Sequence, residues 1–193
     1  PDGFIALAEK IGLSDGLTGL NGSTNITRAQ AACLFSNLLD TEQKEGGIYA
    51  EKLGQVRENV VVLALDVDAD DGSENGIRTS AGVYSTANGV SPQSILGKKG
   101  VLLLNDKGQI LTFLPDRTQQ KTVVVSRCDA GWLEDSGGTR YTIDPKTTAY
   151  TSEGTGTYGE EFVNLGPGSM ATLYLDGGKV SGVYISSGAA VDA

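Results

Sequence analysis

The sequence ENVVVLAL at residues 58–65 is the strongest indicator of the fold class of this chain. A run of valines followed by LAL is typical of a buried β-strand, because β-branched side chains pack well on a pleated sheet. The first part of the stretch is echoed by KTVVV at residues 121–125. The same composition predicts further strands at residues 101–104, 110–114, 141–143, 171–175 and 180–185.

Turn signals join several of these strands into hairpins. NDKG at residues 105–108 and DGGK at residues 176–179 each lie between two predicted strands, and such turn residues favour a tight reversal of the chain. The 27 glycines of the chain fit many short turns. The β region is therefore expected to contain mainly antiparallel strands.

The β region also repeats itself. Besides the two valine-rich stretches, GIRT at 76–79 is echoed by GTRY at 138–141, and LG at 96–97 is echoed by LG at 165–166. These echoes predict two copies of one small β module, each a barrel or rolled sheet. The predicted copies span residues 55–116 and 120–187.

The N-terminal part has the pattern of a helix–loop–helix. The second helix is predicted to start after Thr27 as N-cap, with Gln30 completing a capping box. The fold class is therefore α+β, with a helical segment at residues 1–42, a linker at 43–54 and the two β modules. One face of the first helix is apolar at helical spacing, formed by Phe4, Leu7, Ala8 and Ile11.

Composition excludes several classes of function. The chain has no histidine, which removes Ser-His-Asp and Cys-His catalysis and most zinc and iron sites. The net charge is −9 and no segment clusters lysine and arginine, so nucleic acid is not an expected partner. No stretch reaches the about 18 apolar residues of a membrane helix, so membrane insertion is not expected. Cys33 and Cys128 are predicted to be buried free thiols, with a bridge as the alternative.

The helical segment carries a recognisable motif. IALAEKIGL at residues 5–13, a glycine-rich loop and ITRAQAA at residues 26–32 resemble the S-layer homology motif. In that family, helical repeats hold bacterial surface proteins on secondary cell-wall polysaccharide. The match departs from the family pattern because the opening F-x-D-V segment is absent, Gln30 replaces the usual Glu, and the chain has one motif. The β region resembles the Gly- and Val-rich regions that follow such motifs in surface proteins of Gram-positive anaerobes.

The resemblance implies a site and a location. Arg28 would bind an anionic group of the wall polymer, supported by Thr27 and Gln30 at the start of the helix. The free N–H groups and positive potential of a helix N-terminus suit such a ligand. The expected protein is non-catalytic and extracellular, at the cell wall or cell surface of a bacterium. Its expected partners are secondary cell-wall polysaccharide or a peptidoglycan-linked polymer, and other surface proteins. The β modules would act as spacers or interaction units.

An acidic stretch near residue 70 is a candidate calcium site. Asp66, Asp68 and Asp70 alternate before Gly72, and calcium takes oxygen ligands from such residues. The EF-hand spacing fails because Asp71 stands where the loop glycine belongs. A solvated hairpin tip is the alternative interpretation, and no other cofactor is expected.

Two alternative functions involve sugars. A carbohydrate-binding protein could stack sugars on aromatic side chains of the β modules, and a glycoside hydrolase fragment would need a facing carboxylate pair. GTGTYG at residues 154–159 lacks the context of a phosphate loop and is predicted to be a mobile loop. The aromatic candidates are Trp132, Tyr141, Tyr150 and Tyr158, and the carboxylate candidates are Glu134, Asp135, Glu160 and Glu161.

Overall fold

The computed structural model describes residues 2–21, 23, 25–69, 72–87, 93–116 and 119–186. Within these ranges the chain is mostly β-sheet with few helices, which confirms the α+β prediction at this coarse level. None of the described helices is both long enough and apolar enough to cross a bilayer. The α-helices are α1 (Asp2–Lys10), α2 (Arg28–Asp40) and α3 (Tyr158–Glu161).

The first sheet has five strands among the described residues. They are β1 (Gln55–Val67), β2 (Gly76–Thr79), β3 (Gly82–Tyr84), β4 (Lys99–Leu104) and β5 (Ile110–Pro115). Their order across the sheet is β3-β2-β1-β4-β5, and every neighbouring pair is antiparallel. One face encloses a buried apolar cluster formed by Val60, Val62, Ile77, Leu102, Leu104, Ile110 and Phe113.

The second sheet has seven strands in the described part of the chain. They are β6 (Gln120–Asp129), β7 (Trp132–Asp135), β8 (Arg140–Thr142), β9 (Thr148–Tyr150), β10 (Thr155–Thr157), β11 (Met170–Asp176) and β12 (Lys179–Ile185). Their order is β10-β9-β12-β11-β6-β7-β8, and β12 pairs with β9 in parallel. Residues from β6, β7, β9, β11 and β12 share one buried cluster, so the sheet curls around it.

The two sheets have the same order of connections. In each sheet, the long first strand pairs with the next strand in the chain and also with the first strand of a later hairpin. In the first sheet β1 pairs with β2 and β4. In the second sheet β6 pairs with β7 and β11. The later hairpins also carry the same irregularity. The register shifts between Leu103 and Leu104 in β4, and between Tyr174 and Leu175 in β11.

Main-chain hydrogen bonds fix which residues are equivalent. The N–H of Val62 donates to Lys98 O, and its carbonyl accepts from the N–H of Gly97. Val125 makes the same two bonds with the residues at 169 and 168. Gly97 therefore corresponds to Gly168, and both have a positive φ, 67° and 87°. The predicted equivalence of LG at residues 96–97 and LG at residues 165–166 is therefore wrong.

A second echo is also wrong. GIRT at residues 76–79 forms β2, which pairs with the long strand β1. GTRY at residues 138–141 leads into β8, whose main chain pairs with β7 and not with the long strand β6. The strand equivalent to β2 is β7. The proposed division into segments 1–42, 43–54, 55–116 and 120–187 stays a prediction.

The two sheets meet at a buried junction. Val61 and Leu63 of β1 point away from the first core and pack against Tyr174 and Tyr184 of the second sheet. The hydroxyl of Tyr174 donates to Gly97 O at 3.0 Å, and the hydroxyl of Tyr184 donates to Leu63 O at 3.0 Å. Both hydrogen bonds are buried, so the junction satisfies its polar groups as well as burying apolar ones.

The predicted strands of the β region are confirmed, but the predicted mobile loop is wrong. Within residues 154–159, β10 pairs with β9 and then α3 begins. The ring of Tyr158 is fully buried and its hydroxyl donates to Trp132 O at 2.8 Å. A capping box between Thr157 and Glu160 starts α3, and this pattern was present in the sequence.

The helical segment leaves much of its apolar surface exposed. Phe4 is 82% exposed and Phe35 is 69% exposed. No residue of α2, all of which the structure describes, is buried. The segment predicted as linker is ordered in part, since a 3₁₀ turn at Tyr49–Lys52 buries Ala50 completely. The helix pair therefore has unpartnered apolar faces.

Candidate functional site

The start of α2 has the geometry that the sequence predicts. The N–H of Gln30 donates to Thr27 Oγ1 at 3.1 Å, and the N–H of Thr27 donates to Gln30 Oε1 at 2.9 Å. This confirms the capping box. Such a cap satisfies two of the main-chain donors that a helix start leaves free. The side-chain oxygens of Thr27 and Gln30 are thus occupied by the cap, which makes both residues supports of the helix start.

Polar side chains of α2 hold the preceding loop in place. The amide nitrogen of Asn37 donates to Leu13 O and to Asp15 O, both at 2.9 Å. Gln30 Nε2 donates to Thr18 O at 3.4 Å. This role of Asn37 was not predicted from the sequence. The signal for it was a polar residue one turn after Cys33, on the same side of the helix. Cys33 Sγ also donates to Asp15 O at 3.6 Å, so the loop is fixed relative to Arg28 at the helix start.

Arg28 is the first residue of α2 and its side chain is exposed. Its guanidinium forms no salt bridge with any residue that the structure describes. A guanidinium carries five N–H donors in a planar fork, which suits a carboxylate or phosphate. The helix start adds positive potential at the same end. Arg28 can therefore bind an anionic group without first breaking a salt bridge to any of the described residues.

A cleft of about 420 Å³ lies between the helical segment and the hairpin of β4 and β5. Three carboxylates line it, those of Asp15, Asp40 and Asp116. Negative charge at this density disfavours an anionic ligand. The cleft is therefore a poorer candidate for binding an anionic polymer than the exposed end of α2.

The candidate calcium ligands are described only in part. Asp66 lies in β1 with a φ of 54°, and Asp68 follows that strand, but Asp70 lies outside the described residues. Across the residues that the structure describes, no group of three or more metal-binding side chains comes together. Calcium binding by this stretch stays a prediction.

A charge network covers one face of β7 and β8. Glu134 accepts from Arg127 at 2.7 Å and from Arg140 at 3.1 Å. Hydrogen bonds from Arg127 and then Arg140 lower the pKa of the Glu134 carboxyl. The guanidinium of Arg140 also lies 4.0 Å from the centre of the Trp132 ring. A general acid of a glycosidase needs a raised pKa, so this environment shifts Glu134 in the opposite direction.

Asp135 points to the other face of β7 and is held by several donors. Its Oδ1 accepts from the N–H of Thr139 at 2.8 Å and of Gly137 at 3.0 Å. Its Oδ2 accepts from the hydroxyl of Tyr141 at 3.0 Å. These bonds, the one from Thr139 first, lower the pKa of Asp135. Asp135 thus stabilises the turn between β7 and β8, and it does not face Glu134 as a catalytic pair.

The lowered pKa of Asp135 predicts an acid-sensitive turn. A carboxylate with a depressed pKa stabilises the folded state above its unfolded-state pKa, and this contribution disappears as the pH falls through the folded-state value. We expect the denaturation midpoint to fall on acidification below about pH 4. In Asp135→Asn the midpoint should be lower at pH 7 and should change less with pH. The measurement is urea unfolding of both proteins over a range of pH. If the denaturation midpoints of the two proteins changed equally with pH, this role of Asp135 would be contradicted.

The other carboxylates and the aromatic residues do not gather into one sugar site. Glu160 accepts within the cap of α3, and Glu161 accepts from Asn164 at 2.8 Å. Trp132 and Tyr141 lie on opposite faces of the β7–β8 hairpin, since Tyr141 is paired with Leu133. Tyr158 is buried in the second core and Tyr150 packs beside the sheet junction. These four rings therefore form no common stacking platform.

The two cysteines are free thiols, as predicted, but each is half-buried where full burial was expected. Burial raises the pKa of the Cys128 thiol, whose sulfur donates to Phe162 O and Leu165 O. A thiol with a raised pKa is a weak nucleophile at neutral pH.

No protein-family model matches the chain, and no curated protein matches it.

Proposed function

We propose that this chain is a non-catalytic bacterial surface protein that binds the cell wall through its helical segment. In this proposal the helical segment is an S-layer-homology-like unit, and its ligand is secondary cell-wall polysaccharide or a peptidoglycan-linked polymer. The two sheets are rolled β modules that act as spacers or interaction units outside the wall. The location is extracellular, at the bacterial cell surface.

The observation that carries the proposal is the position and the exposure of Arg28. It lies at the first position of α2, directly after the capping residue Thr27, as in the motif that the sequence resembles. Its side chain is exposed, and no described carboxylate neutralises it. In a chain with a net charge of −9, a free cation at a helix start is a local positive site.

The state of the carboxylates supports a non-catalytic role. A glycosidase needs one carboxyl whose pKa is raised, facing a second one across the substrate. Glu134 and Asp135 both have a lowered pKa, and they point to opposite faces of β7. Each is also committed to hydrogen bonds within the protein. This arrangement favours structural roles for both.

The proposal is tested by sedimentation of the purified chain with Gram-positive cell walls. We expect the chain to sediment with intact walls and to stay in solution with walls stripped of secondary polymer. Arg28→Ala should weaken binding at least about tenfold, because a charge-assisted hydrogen-bond pair contributes about 1.5–3 kcal/mol. Binding should also weaken as the salt concentration rises.

Arg57→Ala is the matched control. Arg57 is also exposed, and its loss changes the net charge by the same amount, but it lies in β1. We expect this variant to bind walls as the unchanged chain does. If both arginine variants lose binding equally, the attraction is a general charge effect and Arg28 has no specific role. If the unchanged chain does not sediment with any wall, the proposal of wall binding is wrong.

A further inference from the structure

The strands β1 and β6 are equivalent, but only the outer face of β1 is covered at the junction of the two sheets. In the first sheet, Val61 of β1 is completely buried under the tyrosines of β11 and β12. The equivalent position in the second sheet is Val124: the carbonyl of Val61 accepts from the N–H of Ser80, and that of Val124 from the N–H of Ser136, both at 2.8 Å. Val124 is 42% exposed. The same strand face is thus covered in one sheet and open in the other.

Neighbours of Val124 extend this open face. Met170 is paired directly with Val124 and is 53% exposed. Its equivalent Lys99, paired with Val61, is instead hydrogen-bonded through its main chain to the side chain of Gln120 in the second sheet. Pro167, one residue before Gly168, is exposed as well. Together Val124 and Met170 form an apolar surface that we call the β6 face, and the exposed Pro167 lies three residues before Met170 in the chain. Exposed apolar side chains grouped in this way mark interaction sites.

We infer that the β6 face binds a further β module of the same type, through a hairpin that carries two tyrosines as β11 and β12 do. The contact would repeat the junction already present within the chain. The hydroxyl groups of Tyr174 and Tyr184 donate to Gly97 O and Leu63 O. This inference does not depend on wall binding.

The acceptors for such a hairpin have main-chain equivalents on the second sheet. Gly168 occupies the position of Gly97, with the same hydrogen bond to the long strand. Ser126 occupies the position of Leu63, because both follow the matched valine at the same register irregularity. A carbonyl group is present whatever the side chain is, so both tyrosine hydroxyls would find the same type of partner there.

The path of the chain favours a following module over a symmetric dimer. The N–H of Asp116, just after β5, donates to Lys99 O, and the N–H of Ser186, just after β12, donates to the equivalent Met170 O. The chain thus leaves both sheets at the same point. The contact is also between two different faces, which joins modules head to tail and not as a symmetric pair.

A fusion protein tests the inference. It consists of residues 1–189 followed by a second copy of residues 120–186. Residues 186–189 then connect the two copies, with the same length as the segment 116–119 between β5 and β6. Met170 is the single methionine of the chain, and the added copy carries Met170→Lys, so one methionine reports on the β6 face. We expect peroxide to oxidise Met170 at least about fivefold more slowly in the fusion than in the unfused chain, as followed by mass spectrometry.

Two variants of the fusion are the controls. Val124→Lys in the first copy should restore rapid oxidation, and since this side chain is exposed, the first copy keeps its fold. Tyr174→Ala with Tyr184→Ala in the added copy should do the same. Equal oxidation rates of Met170 in the fusion and in the unfused chain would overturn the inference, whether the added copy is folded or not. Protection that survives both controls would overturn it too, because it would come from another contact.

Discussion

Replacing Tyr184 with alanine is expected to lower the free energy of unfolding by about 3–5 kcal/mol. The ring is 5% exposed and fills the junction between the sheets with Val61, Leu63 and Tyr174. Removing it leaves a cavity there and also leaves Leu63 O without its donor. The two sheets should then unfold less cooperatively, because a buried contact between them is lost while the bond from Tyr174 to Gly97 O remains.

Urea unfolding with two probes checks this expectation. The single tryptophan, Trp132, lies in the second sheet and reports on it alone, while far-ultraviolet circular dichroism reports on both sheets. Tyr184→Phe is the matched control, since it removes only the hydroxyl and should cost about 1–3 kcal/mol, the cost of an unsatisfied buried acceptor. If the alanine variant were no less stable than the phenylalanine variant, the ring would not contribute to the junction.

Gly97→Ala is expected to destabilise the chain by about 2–4 kcal/mol, through two effects at one position. Gly97 has a φ of 67°, where a side chain is strained. A Cβ atom there would also lie 2.4 Å from Cδ1 of Tyr184, so the ring would have to move. The first effect concerns the backbone and the second concerns the junction.

Gly108→Ala separates the two effects. Gly108 lies in the turn between β4 and β5 with a φ of 76°, and a Cβ atom there would meet no atom within 4 Å. It should cost only the backbone strain, about 1–2 kcal/mol. The difference between the two variants, from urea unfolding, measures the junction. Equal losses would show that the ring of Tyr184 does not need the space above Gly97.

The parts of the fold that local sequence determines were predictable. Valine-rich runs gave the long strands β1 and β6, because β-branched side chains favour a pleated surface whatever lies opposite. The start of α2 was predictable because Thr27 and Gln30 satisfy the helix start with their own side chains. These features need only neighbours along the chain.

The junction could not be predicted because it joins distant parts of the chain. The bond from Tyr184 to Leu63 spans 121 residues, and that from Tyr174 to Gly97 spans 77. In the sequence, both tyrosines are ordinary members of alternating strands. The erroneous match between residues 97 and 166 has the same origin, since only pairing with Val62 and Val125 identifies Gly168 as the equivalent glycine.

The tyrosines of the junction recognise main-chain atoms. Gly97 and Leu63 each offer a carbonyl oxygen, which any amino acid would supply in the same place. The partner strand has to provide only a residue without a side chain at one position and apolar side chains beside it. Units with quite different sequences could therefore be exchanged or recombined during evolution, and the same junction would still form between them.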